Sequence, residues 1–263
     1  MIRATGLNKY FHRGSVNEVH SIRDLSIDIE QGDFITIIGS NGAGKSTFLS
    51  CLAGTHALDA GTIAVGGTDV TRWPEHRRAR FIGRVFQDPL MGTCAGGSIA
   101  QNMALALRRG QRRGLSRGVK PTDRELFREH LKVLGLGLED RLQDRAGLLS
   151  GGQRQALTMV MATLVRPELL LLDEHTAALD PKTAAQILAL TENIVTAGGL
   201  TTLMVTHNMQ QALALGNRLI MMHRGRIIFD VRGQEKAALR VEDLLQKFHG
   251  QEDAEISDRM LLG

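Results

Sequence analysis

A chain of 263 residues, 43% hydrophobic and 23% charged, has the composition of a globular protein with room for one α/β domain or one core with an inserted subdomain, and is not a disordered polypeptide. The net charge of +4 speaks to solubility rather than to a partner, and the two cysteines, Cys51 and Cys94, have neither zinc-ligand spacing nor a disulfide framework. The longest apolar runs fall short of the ~18 residues that cross a bilayer, and Met1-Ile2-Arg3-Ala4-Thr5-Gly6 has no signal-peptide pattern, so the chain is expected to be soluble and cytoplasmic, with any membrane role coming through a partner.

The first 38 residues alternate as strands do, with a period of two over Leu25–Ile29 and a turn at Gln31-Gly32-Asp33. Phe34 to Ile38 is a continuous apolar, β-branched run, which predicts a buried parallel strand. A glycine-rich segment follows, then a helix from about Lys45 to Ala53. Thr62–Val65, turning at Gly66-Gly67, and Arg84–Gln87 read as further strands. From Asp88 to Arg166 the apolar spacing becomes three and four, predicting helices over Ser98–Arg108, Asp123–Leu134 and Gly152–Val165. The βαβ alternation then returns: a strand over Leu169–Leu172, a helix over Pro181–Thr196 opening on proline, and a strand over Thr201–Thr206. Leu219–Met222 and Arg226–Val231 read as a hairpin around Gly225, and a polar helical tail follows Gly233. No internal repeat is present.

Arg108, Arg109, Arg112, Arg113, Arg117 and Lys120 concentrate the positive charge. They read as a solvated helix end and loop, or as a face for anionic headgroups or a membrane partner. No aromatic residues interleave them, so nucleic acid is not expected.

Gly39-Ser40-Asn41-Gly42-Ala43-Gly44-Lys45-Ser46-Thr47 matches GxxxxGK[ST] between a predicted buried strand and a helix, the context a phosphate-binding loop needs. Its backbone N–H groups and the helix N-terminus suit phosphate oxygens. Lys45 is expected to reach the β- and γ-phosphates of ATP, Ser46 to ligate Mg2+, and Thr47 to sit against the α-phosphate. Leu169-Leu170-Leu171-Leu172-Asp173-Glu174 is a strand ending in two acids: Asp173 suits the Mg2+, and Glu174 a general base for the attacking water.

Leu149-Ser150-Gly151-Gly152-Gln153-Arg154-Gln155, just before a helix, resembles the signature of the ATP-binding cassette family. Ser150 and the amides of Gly151 and Gly152 form an anion site at a helix N-terminus, with Gln153 beside them. The resemblance spans roughly residues 1–232 and implies an α/β P-loop NTPase fold: a RecA-like core with a mixed parallel sheet (1–87 and 167–232), an N-terminal antiparallel β subdomain, an inserted α-helical subdomain (88–166), and a C-terminal helical tail (233–263). It implies that the signature closes over the γ-phosphate bound on a second copy of the chain. It makes Gln87 a hinge that ligates Mg2+ or water, Asp180 in Ala178-Leu179-Asp180 part of a loop crossing the dimer interface, and His207 a switch on the γ-phosphate. Phe11 is the expected adenine-stacking aromatic by its offset, with Tyr10 as the alternative.

Two positions depart from the family pattern. His175 stands where proline is usual and is read as structural. Met91-Gly92-Thr93-Cys94-Ala95-Gly96-Gly97, in the region that normally faces the permease, is glycine-rich. The phrases Val85–Thr93 and Asp173–Lys182 resemble a bacterial uptake branch akin to tryptophan-type and branched-chain amino acid systems. The function implied is an ATPase driving a separate membrane permease, on the inner face of the cell membrane, with a substrate-binding protein in the same system. A non-transport cassette acting on a soluble partner or nucleic acid is the alternative. The chromosome-associated kind carries long coiled coils, and no heptad run of that length is present.

Overall fold

The computed structural model describes residues 1–111 and 118–248. Arg112, Arg113 and Arg117 of the basic stretch, and the tail beyond residue 248, lie outside the described residues.

Alternating burial makes Ile2–Phe11 (β1) and Val19–Ile29 (β2) amphipathic strands. They pair antiparallel, and β1 also pairs with Ala60–Val65 (β4). Gly66 and Gly67, both at positive φ, turn β4 into Thr68–Asp69 (β5), which completes a sheet of order β2-β1-β4-β5. The second sheet holds Phe34–Gly39 (β3), Ile82–Val85 (β6), Leu169–Asp173 (β7), Thr202–Val205 (β8), Arg218–His223 (β9) and Arg226–Arg232 (β10). Its order is β10-β9-β3-β8-β7-β6, parallel throughout except for β10. Strands buried on both faces explain the unbroken apolar runs of β3 and β7. The helix Lys45–Ala53 (α1) shares one core with both sheets through Phe48, Leu49 and Leu52.

The fold is thus the α/β P-loop NTPase architecture that the motifs imply. Several strand ends shift by one or two residues, and β6 moves as a whole: it spans 82–85, not 84–87. Its ladder ends where Val85 pairs with Leu172, because β7 itself ends one residue later, and Phe86 and Gln87 run on without a partner strand. The short helices Glu75–Arg78 (α2) and Met209–Ala214 (α7) were not predicted; they hold too few residues for a helical period to register.

Ile99–Leu107 (α3), Pro121–Lys132 (α4) and Gly151–Thr163 (α5) pack on a separate core around Met103, Phe127, Leu131 and Leu157. Ile187 of Pro181–Gly198 (α6) closes that core from the sheet side. After β10 come Gly233–Ala238 (α8) and a helical stretch over 241–248, whose Leu244 is buried against Ile38 and Met221.

Two buried guanidinium groups tie these layers. Arg78 of α2 is 1% exposed and donates to the carbonyls of Cys51, Leu52, Thr71 and Trp73, so a cation caps the C-terminal end of α1. Arg218 of β9 donates to both carboxylate oxygens of Asp230 at 2.8 and 2.6 Å, to Asp33 at 3.1 Å and to the carbonyl of Asp28 at 2.7 Å. Removing one side of a buried ion pair strands the other. Arg218→Met is therefore expected to lower unfolding stability by about 3 kcal/mol, measured by urea titration, and Asp33→Asn in the same chain should restore part of the loss.

His175, directly after β7, is 2% exposed, and its Nε2 lies 3.0 Å from Thr191 Oγ1 on α6. Thr191 gives its own hydroxyl proton to the carbonyl of Ile187 at 2.8 Å, so His175 Nε2 is the donor. Burial pushes the His175 pKa from 6.5 down to about 4. The unfolded chain takes up this proton near pH 6.5, and the folded chain does so only near 4. This contribution is fully present above pH 6.5 and is lost as the pH falls toward 4, by about 3 kcal/mol in total. Urea titrations at pH 7 and pH 5 should show a loss of stability that shrinks in His175→Phe; equal losses in both chains would contradict this account.

Candidate functional site

The site forms at the C-terminal edge of the parallel sheet, where α/β folds bind ligands. In the ladder, Ile37 of β3 stands level with Val205 of β8, which stands level with Asp173 of β7. The loops leaving these three strands carry Gly39–Gly44, His207 and Glu174 respectively. The parallel register alone therefore gathers residues from three distant stretches of sequence.

The phosphate loop turns through Gly42 and Gly44 at left-handed φ of 79° and 95°. A Cβ on Gly44 would lie 2.5 Å from the carbonyl oxygen of Ser21, so β2 presses directly on the loop. The β9–β10 turn presses from the other side, with Gly225 N donating to Ala43 O and Gly225 O accepting from Arg23 N, both at 2.9 Å. Ser40, Asn41 and Gly42 are exposed, while Ala43, Gly44 and Lys45 are buried. Lys45 Nζ donates to the carbonyls of Gly39 at 2.8 Å and Ser40 at 3.1 Å. Burial lowers its pKa, and Glu174 and Asp173 oppose that shift. Thr47 Oγ1 accepts a hydrogen bond from Ser21 at 3.0 Å.

Ser46 Oγ donates to Asp173 Oδ1 at 3.0 Å. The other oxygen, Oδ2, faces Arg84 at 3.4 Å. Motif reading passed over Arg84; its signal was a lone charge within the apolar run Phe81-Ile82-Gly83-Arg84-Val85. Gln87 is exposed in the bend after β6, on the same edge of the sheet. Among the described residues no cluster of three or more His, Cys, Asp or Glu forms a cation cage. The donors assembled are hard oxygens with a single carboxylate, which fits a cation sharing its coordination with nucleotide phosphates, as Mg2+ does.

Glu174 closes β7 at a left-handed φ of 46°, a conformation that non-glycine residues hold only where the surroundings enforce it. Its Oε1 lies 2.5 Å from His207 Nε2, with Glu174 mostly covered and His207 half exposed. The His207 turn is pinned on both sides: Asn208 N donates to Thr206 Oγ1 at 3.1 Å, and Asn208 Oδ1 accepts from Gln211 N at 3.0 Å as the cap of α7. A cavity of about 170 Å3, lined by Glu174, His175, Thr206, His207 and Gln211, opens beside the pair. Its lining is mixed, with Glu174, Thr206, His207 and Gln211 offering polar groups, and it is large enough to hold water.

Ser150 caps α5 in a reciprocal box with Gln153: Ser150 Oγ accepts from Gln153 N, and Gln153 Oε1 accepts from Ser150 N, both at 3.2 Å. A Cβ on Gly151 would sit 3.3 Å from Leu179, and Gly152 faces Thr183, so the helix start lies against the Asp180 turn. Asp180 caps α6, its Oδ1 accepting from Thr183 N at 3.1 Å; the Thr183 hydroxyl, and then this backbone N–H, hold its pKa below the usual carboxylate range. The bonds of this group stay within α5 and α6, whereas the phosphate loop bonds to β2, β7 and the β9–β10 turn. Of the two candidate aromatics, Tyr10 stacks on His20 at 3.9 Å with Arg13 over its ring, and Phe11 meets His56 edge-on at 5.2 Å with Lys9 over its ring.

The family described as ABC transporter matches residues 22–177. A tyrosine transport ATP-binding protein of Clostridioides difficile (strain R20291) is 44% identical over 251 residues, covering 94% of this chain and 98% of that one. The aliphatic sulfonates import ATP-binding protein SsuB of Albidiferax ferrireducens is 38% identical over 80% of this chain and 68% of its own length. The methionine import ATP-binding protein MetN of Rhizobium etli is 36% identical over 78% of this chain, which spans about half (55%) of that relative. Among solved structures, an ATP-binding cassette in a dimeric post-hydrolysis state bound to ADP and Pi superposes with a TM-score of 0.74 at 25% identity, over 88% of this chain and 98% of that one. No helix among the described residues is long and apolar enough to cross a membrane. A chain that aligns with one such protein over nearly its whole length and folds like another belongs to the ABC transporter family: it is an ATP-binding cassette, and an ATPase.

Proposed function

We propose that this chain powers an amino acid uptake system, two copies closing around two ATP to drive a separate membrane permease served by an extracytoplasmic binding protein. The observation that carries the catalytic part is the Glu174–His207 contact at 2.5 Å beside the phosphate loop. Uptake rests on the import proteins among the relatives, and the amino acid on the tyrosine transport relative. In this reading residues 1–87 and 167–232 form the nucleotide core, 88–166 the helical part that carries the signature, and 233–263 a tail, and the assembly works at the inner face of the membrane.

The amides of Gly39, Ser40, Asn41, Gly42, Ala43 and Gly44 and the start of α1 receive the phosphates. Lys45 exchanges its two carbonyl partners for β- and γ-phosphate oxygens, a favourable trade for a buried cation. Thr47 meets the α-phosphate, and Phe11 stacks on adenine. Ser46, Asp173 and Gln87 hold Mg2+, which supplies charge neutralisation at the phosphates. The γ-phosphate draws the His207 N–H away from Glu174. The freed carboxylate then orients water from the adjacent cavity and takes its proton as the water oxygen bonds to Pγ and the bridging Pγ–O bond breaks, releasing ADP and phosphate. Ser150, Gly151, Gly152 and Gln153 of the second copy complete the site, and Asp180 lies across the same interface. ATP shifts the equilibrium only to the extent that it binds the closed pair more tightly than the open one.

Glu174→Gln is expected to keep ATP affinity, to slow hydrolysis by about 10²–10⁴-fold, and to elute as an ATP-loaded dimer on size exclusion. Normal turnover in that variant would remove Glu174 from the mechanism. Affinity purification from detergent-solubilised membranes, read by mass spectrometry, should recover a multi-span permease in comparable amount. Recovery of soluble or nucleic-acid-bound partners alone would sink the uptake reading and leave the ATPase.

A further inference from the structure

We propose that Arg84 is a built-in counter-charge of the metal site: it offsets the charge of Asp173 before Mg2+ arrives and loosens the site's grip on the dication. The proposal rests on the reading of Ser46 and Asp173 as metal ligands. Arg84 is the third of four residues in an otherwise apolar edge strand and points to the same face as the buried Ile82. Its side chain is 13% exposed. The guanidinium reaches Ser50 Oγ at 3.1 Å, Thr55 Oγ1 at 3.2 Å and Asp173 Oδ2 at 3.4 Å, and packs 4.7 Å from the centre of the Phe86 ring. Its Nε is buried without a hydrogen-bond partner. An apolar side chain would fill this place without a half-satisfied buried cation, so packing does not account for the arginine.

Charge does account for it. The groups that face one another at this edge are Lys45 and Arg84 on one side and Asp173 and Glu174 on the other. The formal charges of these four groups cancel, and both oxygens of Asp173 are engaged, one by the Ser46 hydroxyl and one by Arg84. A dication bound by the same carboxylate meets a positive charge already beside it. The Arg84 contact, at 3.4 Å, is at the long limit of a hydrogen bond, so its effect is carried by charge more than by direction. Ser46 retains the aim of the carboxylate when Arg84 is gone. Arg84 is in this account a positioning residue: it touches neither nucleotide nor metal.

The test is the affinity of the full chain for AMP-PNP, measured by calorimetry in EDTA and across a Mg2+ titration. In Arg84→Met the Mg2+ concentration that half-saturates the gain in affinity should fall about tenfold, or ~1.4 kcal/mol. Arg84→Lys keeps the charge and should stay near the parent, a distinction that a purely structural role would not produce. Arg84→Gln gives the same readout if Arg84→Met does not fold. An unchanged or higher Mg2+ requirement in the uncharged variants overturns the proposal while leaving the metal site intact. A parent chain whose nucleotide affinity ignores Mg2+ overturns the metal-site reading, and this proposal with it.

Discussion

The parallel ladder through β3, β8 and β7 is the constraint on which the rest of the molecule depends. Because Ile37, Val205 and Asp173 stand level, the loops that follow them must emerge side by side. A slip of one residue in any of these strands would turn its side chains to the opposite face and withdraw its functional residue from the edge. The buried runs of β3 and β7 hold this register by packing, and Thr36 adds a hydrogen bond to the carbonyl of Ala212 at 2.8 Å that seats α7 against β3. His207 is positioned by the same contacts, since its turn connects β8 to α7.

Much of this was legible in the sequence, and the reasons are physical. Residues 45–53 read as a helix because glycines free the phosphate loop ahead of it and Gly54, at a φ of 83°, closes it. The strands of the parallel sheet read as unbroken apolar runs because helices or the second sheet cover both faces. What escaped was either short or non-periodic. α2 and α7 offer one or two turns, too few for a pattern. The end of β6 was misplaced because strand length is set by the partner, and the partner leaves the ladder at Glu174. Arg84 escaped because it belongs to no motif and acts sideways on the neighbouring strand β7, a pairing that the sequence alone does not display.

The 39–44 loop and the start of α5 are held by different means, and the difference is visible in their hydrogen bonds. The loop of residues 39–44 leaves its outward amides to the exposed Ser40, Asn41 and Gly42, clasped from behind by Ser21 and Gly225. The start of α5 instead spends its Ser150 hydroxyl on its own Gln153 amide and leans on Thr183 of α6. The first arrangement is prepared for a ligand. The second is a stable helix cap that offers its remaining first-turn amides outward, to whatever approaches that face.

Charge balance and backbone strain then act together at a single point. Glu174 holds a left-handed φ of 46°, and its neighbour His175 is fixed by a buried hydrogen bond to Thr191 of α6. That bond anchors the strained turn to a long helix rather than to a loop. Its carboxylate is engaged by His207, as the carboxylate of Asp173 is engaged by Ser46 and Arg84. Both acids at the edge are thus occupied by partners drawn from other strands, and Lys45 is occupied by two carbonyls of its own loop. In the proposed reading, phosphate oxygens take the place of the two carbonyls at Lys45, a metal takes up the oxygens of Asp173, and the γ-phosphate competes with Glu174 for His207. On that reading a polyphosphate does not build its site from loose parts; it exchanges one set of charge-assisted bonds for another. The exchange is sensitive to the charge of what enters because the groups released are themselves charged.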